Sequence, residues 1–290
     1  MPMTPDALTL HDLPGSIGTE ALGVDAAAAS SFDIAWTARD IDALRAAFDR
    51  RHLLLLHGEP ISGEAQLGFV ARFGPLVPER RLWGYVSNVR EDGIVREGAL
   101  LFHSDFAFTR APTLAISLHA LQVPAHDAPT RFANAVRAAQ VLPADLRARL
   151  RGRRVLNVYD FHRPNDRPMR VDEVDPRSPR YAHPAVGVHP RTGVDVVMAN
   201  EMHTDHIVGL TPAESDALLT DLFAVLYHDD NVYEHNWRVG DLVLWDNVAL
   251  HHGRPDFPVD EPRTLQRVTL GAYTPSELVP NLAELLAARR

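Results

Sequence analysis

Cysteine is absent from the 290-residue chain, and so is lysine: all 29 basic side chains are arginine. The first absence removes disulfides, thiolate metal ligands and cysteine nucleophiles together, and it fits a reducing compartment. The second removes Schiff-base catalysis and the lysine-bearing phosphate loop. Two further signatures are missing: the Gly-x-Gly-x-x-Gly of dinucleotide sites and the Gly-x-Ser-x-Gly of serine hydrolases. No apolar run approaches the roughly 20 residues of a membrane span. Met1 to Asp6 carries neither the basic start nor the apolar core of an export signal. A cytoplasmic protein with no membrane partner is therefore expected. Positive charge is scarce as well. A formal net charge of −9 argues against a nucleic-acid partner, which needs clustered cations. The five arginines between Arg147 and Arg154 read as a solvated helix end.

What is present suits one large core. No Gly/Ser-rich or Pro-rich stretch marks a linker, so residues 1–290 are expected to form a single domain. Residues 13–35 suggest a short strand and turns. Thr37 opens a helix, with Asp40 three residues on and Ile41, Leu44 and Phe48 at helical spacing. His52 to His57 contains four consecutive leucines, too short a run for a helix, and reads as a buried strand. Ser62 caps a second helix that Gly74-Pro75 stops. Residues 76–100, with Arg80, Arg81, Trp83, Tyr85, Asn88 and Gly98, are irregular and form a candidate substrate lid.

Further on, Thr113 to Val123 and Arg131 to Ala135 are strand-like, and residues 135–150 are helical with a break near Pro143. Residues 160–195 read as a long loop. Strand character returns at Val194 to Met198 and around Ile207. Thr211-Pro212-Ala213-Glu214 is a capping signature for a helix through Tyr227. Three strand-like runs follow, Tyr233 to Arg238, Gly240 to Trp245 and Leu265 to Tyr273. Strands at both ends of a helical middle do not alternate as βαβ units, so a mainly β fold with flanking helices is expected.

The chemistry concentrates in two stretches, Leu101-Phe102-His103-Ser104-Asp105-Phe106 and Leu244 to Arg254. His-x-Asp occurs three times, at His103/Asp105, His203/Asp205 and His228/Asp230, so the triplet alone says little. Residues two apart in an extended segment share a face, which lets His103 and Asp105 converge on one ion, with a strand behind them for support. His203/Asp205 precedes His206-Ile207-Val208-Gly209-Leu210 and suits a pocket wall. His228/Asp230 follows a helix C-terminus, where a histidine favours the dipole and water. Two histidines and a carboxylate form the facial triad of non-haem iron oxygenases. The third ligand stays open between His251 and His252, because neighbours in a strand point to opposite faces.

From about residue 15 to 275 the chain resembles the taurine and 2,4-dichlorophenoxyacetate dioxygenase family of 2-oxoglutarate-dependent oxygenases. The carrying residues are Phe73-Gly74-Pro75-Leu76, His103-Ser104-Asp105, Thr130, Arg238 to Asn247, and the arginines after the histidine pair. The resemblance implies a double-stranded β-helix (jelly roll, cupin-like) and an iron site of His103, Asp105 and His252, the last because the distal histidine lies seven residues beyond Trp245. It implies Thr130 and Arg263 as the 2-oxoglutarate site, the arginine standing eleven residues after His252. Arginine's planar fork suits a carboxylate that must be buried. Fe(II), 2-oxoglutarate and O2 are the implied cofactor and co-substrates, with succinate and CO2 released. Hydroxylation of a small anionic molecule is the expected outcome, with desaturation or cyclisation as alternatives. The carboxylate ligand Asp105 argues against halogenation.

Arg267, fifteen residues past His252, is the expected reader of a substrate anion, and Asn88 and His206 are further candidate substrate contacts. The chain departs from the family pattern at Val248, where an arginine is usual, and at Asp127-Ala128-Pro129, ahead of Thr130. A zinc hydrolase or cupin-like isomerase on the same barrel is the rival reading. A homo-oligomer stays compatible with all of this.

Overall fold

The computed structural model describes residues 8–22, 37–77, 82–95, 97–124 and 128–287. Most of the turn region 13–35, the lid residues Arg80 and Arg81, and Asp127 lie outside them. In chain order the strands are β1 (Thr9–Asp12), β2 (Thr19–Leu22), β3 (Leu53–Leu56), β4 (Gly84–Ser87), β5 (Gly93–Ile94), β6 (Leu100–His103), β7 (Ala115–Gln122), β8 (Thr130–Asn134) and β9 (Arg154–Val158). They continue as β10 (Arg180–Pro184), β11 (Val186–Val188), β12 (Asp195–Val197), β13 (Thr204–Ile207), β14 (Val232–His235), β15 (Leu242–Asp246), β16 (Leu250–Arg254) and β17 (Thr264–Leu270). The major sheet runs β1-β2-β3-β15-β7-β17-β4-β5 and the minor sheet β14-β8-β16-β6. Facing each other, they form a double-stranded β-helix. Two smaller sheets, β10-β9-β13 and β11-β12, lie beside them.

The leucine run shows how sequence fixes this layering. Side chains alternate across a strand. Leu53 and Leu55 enter the core between the two sheets, where Trp245 of the major sheet meets Phe132 of the minor at 5.3 Å. Leu54 and Leu56 enter the outer core, against the helices Ala38–Arg51 and Gly63–Val70. A strand buried on both faces therefore needs no polar alternation. Thr37, Ser62 and Thr211 each cap the helix assigned to them, Thr37 and Thr211 with complete capping boxes. The helical middle splits into Ala135–Val141 and Ala144–Leu150 on either side of Pro143. At the entry to β15, Gly240 has φ +91°, and a Cβ there would collide with the Gly58 carbonyl oxygen.

Three expectations need correction. The stretch 76–100, read as irregular, contains β4 and β5, and β4 pairs with β17 along its length in the major sheet. The loop assigned to 160–195 contains β10 and β11, because Arg180–Pro184 pairs with β9 along its length while showing little apolar alternation. Strand β1 went unread, since Thr-Leu-His-Asp is largely exposed and is held by backbone pairing to β2. Among the described residues no helix is long and apolar enough to cross a membrane.

The core also carries an acid-sensitive element. His119, fully buried on β7, accepts from the Ile61 N–H at Nε2 (2.9 Å) and donates from Nδ1 to the Asp241 carbonyl (3.2 Å), a pattern that only the neutral ring satisfies. Burial holds it below its ordinary 6.5, as it does His52 and His183. The unfolded chain takes up these protons first. Stability is therefore whole above about pH 6.5 and declines as the pH falls below it. Urea midpoints measured between about pH 7 and 5 should fall, and His119→Gln should flatten the slope. A flat wild-type profile would contradict this.

Candidate active site

Among the described residues, His103, Asp105 and His252 bring one potential ligand atom each to within 4.8 Å of one another. Adjacent strands of the minor sheet deliver the two histidines. His103 ends β6 and is the direct cross-strand partner of His252 on β16, their rings 4.2 Å apart. Gly253 permits the approach, since a Cβ there would lie 2.8 Å from the Leu100 carbonyl oxygen. His103 Nδ1 lies 2.9 Å from the Leu101 carbonyl, which can only accept, so that nitrogen carries the proton and Nε2 is free to coordinate. Asp105 Oδ1 lies 3.2 Å from His103 Nε2 and 3.6 Å from His252 Nε2.

His251 points the other way. Its Nδ1 meets the Tyr227 hydroxyl at 3.1 Å, behind the sheet, and burial pushes its pKa down to about 3. Strand alternation thus separates the two neighbours that local sequence left open.

Asp105 itself lies beyond the end of β6, in a turn, and Asn247 holds that turn. Asn247 Oδ1 accepts from the Asp105 N–H at 2.9 Å, and its Nδ2 donates to Ser104 Oγ, the Asp105 carbonyl and the Thr113 carbonyl. Ser104 Oγ returns a bond to the Asn247 carbonyl at 2.5 Å. Asn247→Ala should therefore cost on the order of 2–6 kcal/mol of stability, at about 0.5–1.5 kcal/mol for each side-chain bond, and should weaken metal binding. Thermal melting and Mn(II) titration check both effects. Unchanged metal affinity would mean that the turn needs no such support.

Burial pushes the Asp105 carboxyl up, but Arg267 and the two histidines outweigh it and hold it well below the usual carboxylate range. Burial, reinforced by His103, keeps His252 well below its ordinary value. An ionised carboxylate and a neutral imidazole are the forms that bind a metal. Two imidazoles and one carboxylate, with space on the open side, suit a first-row divalent ion.

The triad opens into a cavity of about 1250 Å3. On one side of it lies Arg263, 2% exposed, with its Nε unpartnered and its guanidinium paired with no carboxylate among the described residues. Burial, then the nearby Arg254, pushes it down to about 9. Arg254 is itself spent on the carbonyls of Gly98 and Val95. A buried cation without a counter-ion is costly, so the site calls for an anion. Thr130 lines the same cavity; its Oγ1 accepts from Trp237 Nε1 at 2.9 Å, which leaves the hydroxyl proton free to donate.

The family described as "Taurine catabolism dioxygenase TauD, TfdA family" matches residues 10–269. The chain belongs to the TauD/TfdA family. It is 30% identical to the alpha-ketoglutarate-dependent 2,4-dichlorophenoxyacetate dioxygenase of Cupriavidus pinatubonensis, over 80% of this chain and 87% of that one. It is 29% identical to the alpha-ketoglutarate-dependent sulfate ester dioxygenase of Pseudomonas putida, over 92% and 91%. A crystal structure of a taurine dioxygenase from Burkholderia xenovorans superposes with a TM-score of 0.73 at 27% identity, over 91% of this chain and 90% of that one. As a TauD/TfdA protein the chain is an Fe(II)- and 2-oxoglutarate-dependent dioxygenase, an oxidoreductase that uses O2.

Other expected site residues fall differently in this TauD/TfdA protein. Arg267 lines the cavity, but one terminal nitrogen is committed to Asp105 Oδ2. Asn88 is corrected to a structural role. Its Oδ1 accepts from the Arg263 N–H at 2.8 Å and its Nδ2 donates to the carbonyls of Val259 and Glu261, so it fixes the backbone carrying Arg263. His206 is corrected as well: it pairs with Asp205 at 2.5 Å and does not line the cavity. His203 does line it, edge-on to His103 at 5.6 Å. His228 caps a short 3-10 turn and does not line the cavity. Sequence reasoning passed over Trp237 and the turn-holding role of Asn247. The second stands in the Trp245-Asp246-Asn247 motif, the signal that could have disclosed it.

Proposed function

We propose that this dioxygenase hydroxylates a C–H bond of a small organic anion, with His103, Asp105 and His252 holding the iron. When bound there, Fe(II) with 2-oxoglutarate and O2 supplies the oxidising power, and succinate and CO2 leave as co-products. The observation that carries the reading is the unanswered cation of Arg263 in the same cavity as the triad. Arg263 binds the far carboxylate of 2-oxoglutarate through its fork, and Thr130 donates its hydroxyl proton to the same group. The three residues would hold the ion and leave positions for reactants. Phe106, Phe108, Tyr159 and Phe161 wall the cavity with aromatic surface, which excludes water from the reacting carbon.

The anionic character of the substrate rests on Arg267. Its Nη2 meets Asp105 and its Nε meets Thr269 at 3.3 Å, while its remaining nitrogen has no partner among the described residues. The relatives named for 2,4-dichlorophenoxyacetate and for sulfate esters take organic anions, which supports the same class here. The test is succinate release by Fe(II)-loaded protein, supplied with O2 and 2-oxoglutarate, across a panel of carboxylates, sulfonates and sulfate esters. At least one anion should stimulate release. Arg267→Leu should abolish that stimulation. Stimulation by neutral analogues alone, or full stimulation in Arg267→Leu, would refute the anionic reading.

A further inference from the structure

The two oxygens of Asp105 are divided between different neighbours. Oδ1 faces both histidines, at 3.2 Å from His103 Nε2 and 3.6 Å from His252 Nε2. Oδ2 is the oxygen held by Arg267 Nη2. The holder is rigidly mounted. Arg267 sits in the middle of β17, paired with Leu118 of β7 on one side and Gly84 of β4 on the other, and its Nε is tied to Thr269 Oγ1 at 3.3 Å. It is half-buried, its side chain 18% exposed beside an Asp105 side chain 15% exposed, so water screens the pair weakly. The pair spans 162 residues of sequence and joins the major sheet to the turn that carries the carboxylate.

A carboxylate can meet a divalent ion with one oxygen or with both. If both bind, the second takes a position that an oxygenase must keep for its reactants. Partners outside the ligand set orient ligands and tune the ion. A guanidinium on the outer oxygen is a charge-assisted bond of the strong kind and would have to be broken before that oxygen could turn inward.

From this division of oxygens we infer that Arg267 is a positioning residue for the metal: it holds Oδ2 so that Asp105 meets the ion through Oδ1 alone, which keeps one more coordination position open. The role is separate from any contact with substrate, because it operates before substrate or 2-oxoglutarate arrives. It also gives Asp105 a counter-charge in the metal-free protein, where a buried carboxylate would otherwise stand unpaired.

The inference rests on the iron-site reading, and the experiment separates the two. Mn(II) serves as the probe, with neither 2-oxoglutarate nor substrate present, and its water ligands are counted from the broadening of its electron paramagnetic resonance lines in 17O-enriched water. Failure of the wild-type protein to bind Mn(II), or equal binding by Asp105→Ala, would overturn the site itself. With the site intact, Arg267→Leu should carry one water ligand fewer than wild type, since the released Oδ2 turns to the ion. Arg267→Lys keeps a cationic donor and should restore the wild-type count. If Arg267→Leu does not fold, Arg267→Met takes its place with the same expectation. An unchanged count in the apolar variant, or a lysine variant indistinguishable from it, would overturn the inference and leave Arg267 to the substrate alone.

Discussion

Asp105→Ala should abolish substrate oxidation and 2-oxoglutarate-dependent succinate release, and should weaken divalent-metal binding beyond the roughly 10–100-fold that loss of an outer-shell partner costs. The reason is cumulative. In the proposed iron site Asp105 supplies the negative ligand, next to both histidines, and its removal leaves Arg267 in the cavity without its partner. His103→Ala and His252→Ala should do the same to metal binding. His251→Ala is the control: it lies one residue from His252 but faces Tyr227, so its loss should leave the metal in place while lowering stability. Metal titration of the four variants gives the comparison. Wild-type affinity in Asp105→Ala, or loss of metal in His251→Ala alone, would reverse the assignment of the two strand faces.

Arg263→Leu should retain metal yet bind 2-oxoglutarate far more weakly. Removing one partner of a buried charge pair costs roughly 3–5 kcal/mol, which is on the order of 100- to 5000-fold in the dissociation constant. Arg263 fits this extreme better than a surface arginine would, because it is almost fully buried and has no protein counter-ion among the described residues. Thr130→Ala should have the milder effect of an ordinary hydrogen bond, about 0.5–1.5 kcal/mol or up to roughly tenfold. The two variants share a direction and differ in size. If Thr130→Ala costs as much as Arg263→Leu, the carboxylate sits elsewhere. Asn88→Ala adds a further check, since it should weaken 2-oxoglutarate binding only by loosening the backbone beneath Arg263.

Local chemistry that is decided within a few residues was legible in the sequence. The caps at Thr37, Ser62 and Thr211 and the break at Pro143 depend on neighbours in the chain, and the structure has them where the pattern places them. The leucine strand was legible as buried, though burial on both faces becomes clear only once the minor sheet covers one face and the helices Ala38–Arg51 and Gly63–Val70 cover the other. What depended on pairing between distant segments was not legible. The choice between His251 and His252 needs to know which face of β16 meets β6, and local alternation says only that they differ. Resemblance in spacing pointed to His252, and the cross-strand pairing with His103 places it beside Asp105.

Arg267 shows the same limit. Its spacing from Arg263 correctly brings it to the cavity, but its bond to Asp105 joins residues 162 positions apart, and no local pattern carries that. Asn88 looked like a cavity residue because it stands in an irregular stretch before the metal motif. In the fold its amide is consumed by three backbone groups around Arg263.

The central claim is that one cavity holds iron on His103, Asp105 and His252 and 2-oxoglutarate on Arg263. Anaerobic titration of 2-oxoglutarate into Fe(II)-loaded protein tests it most directly, because chelation of the ion by the keto acid gives a visible metal-to-ligand charge-transfer band. The band should saturate at one 2-oxoglutarate per protein, be absent in Asp105→Ala, and appear in Arg263→Leu only at much higher concentration. A wild-type protein that shows no band, or a band whose titration is indifferent to both substitutions, would contradict the account.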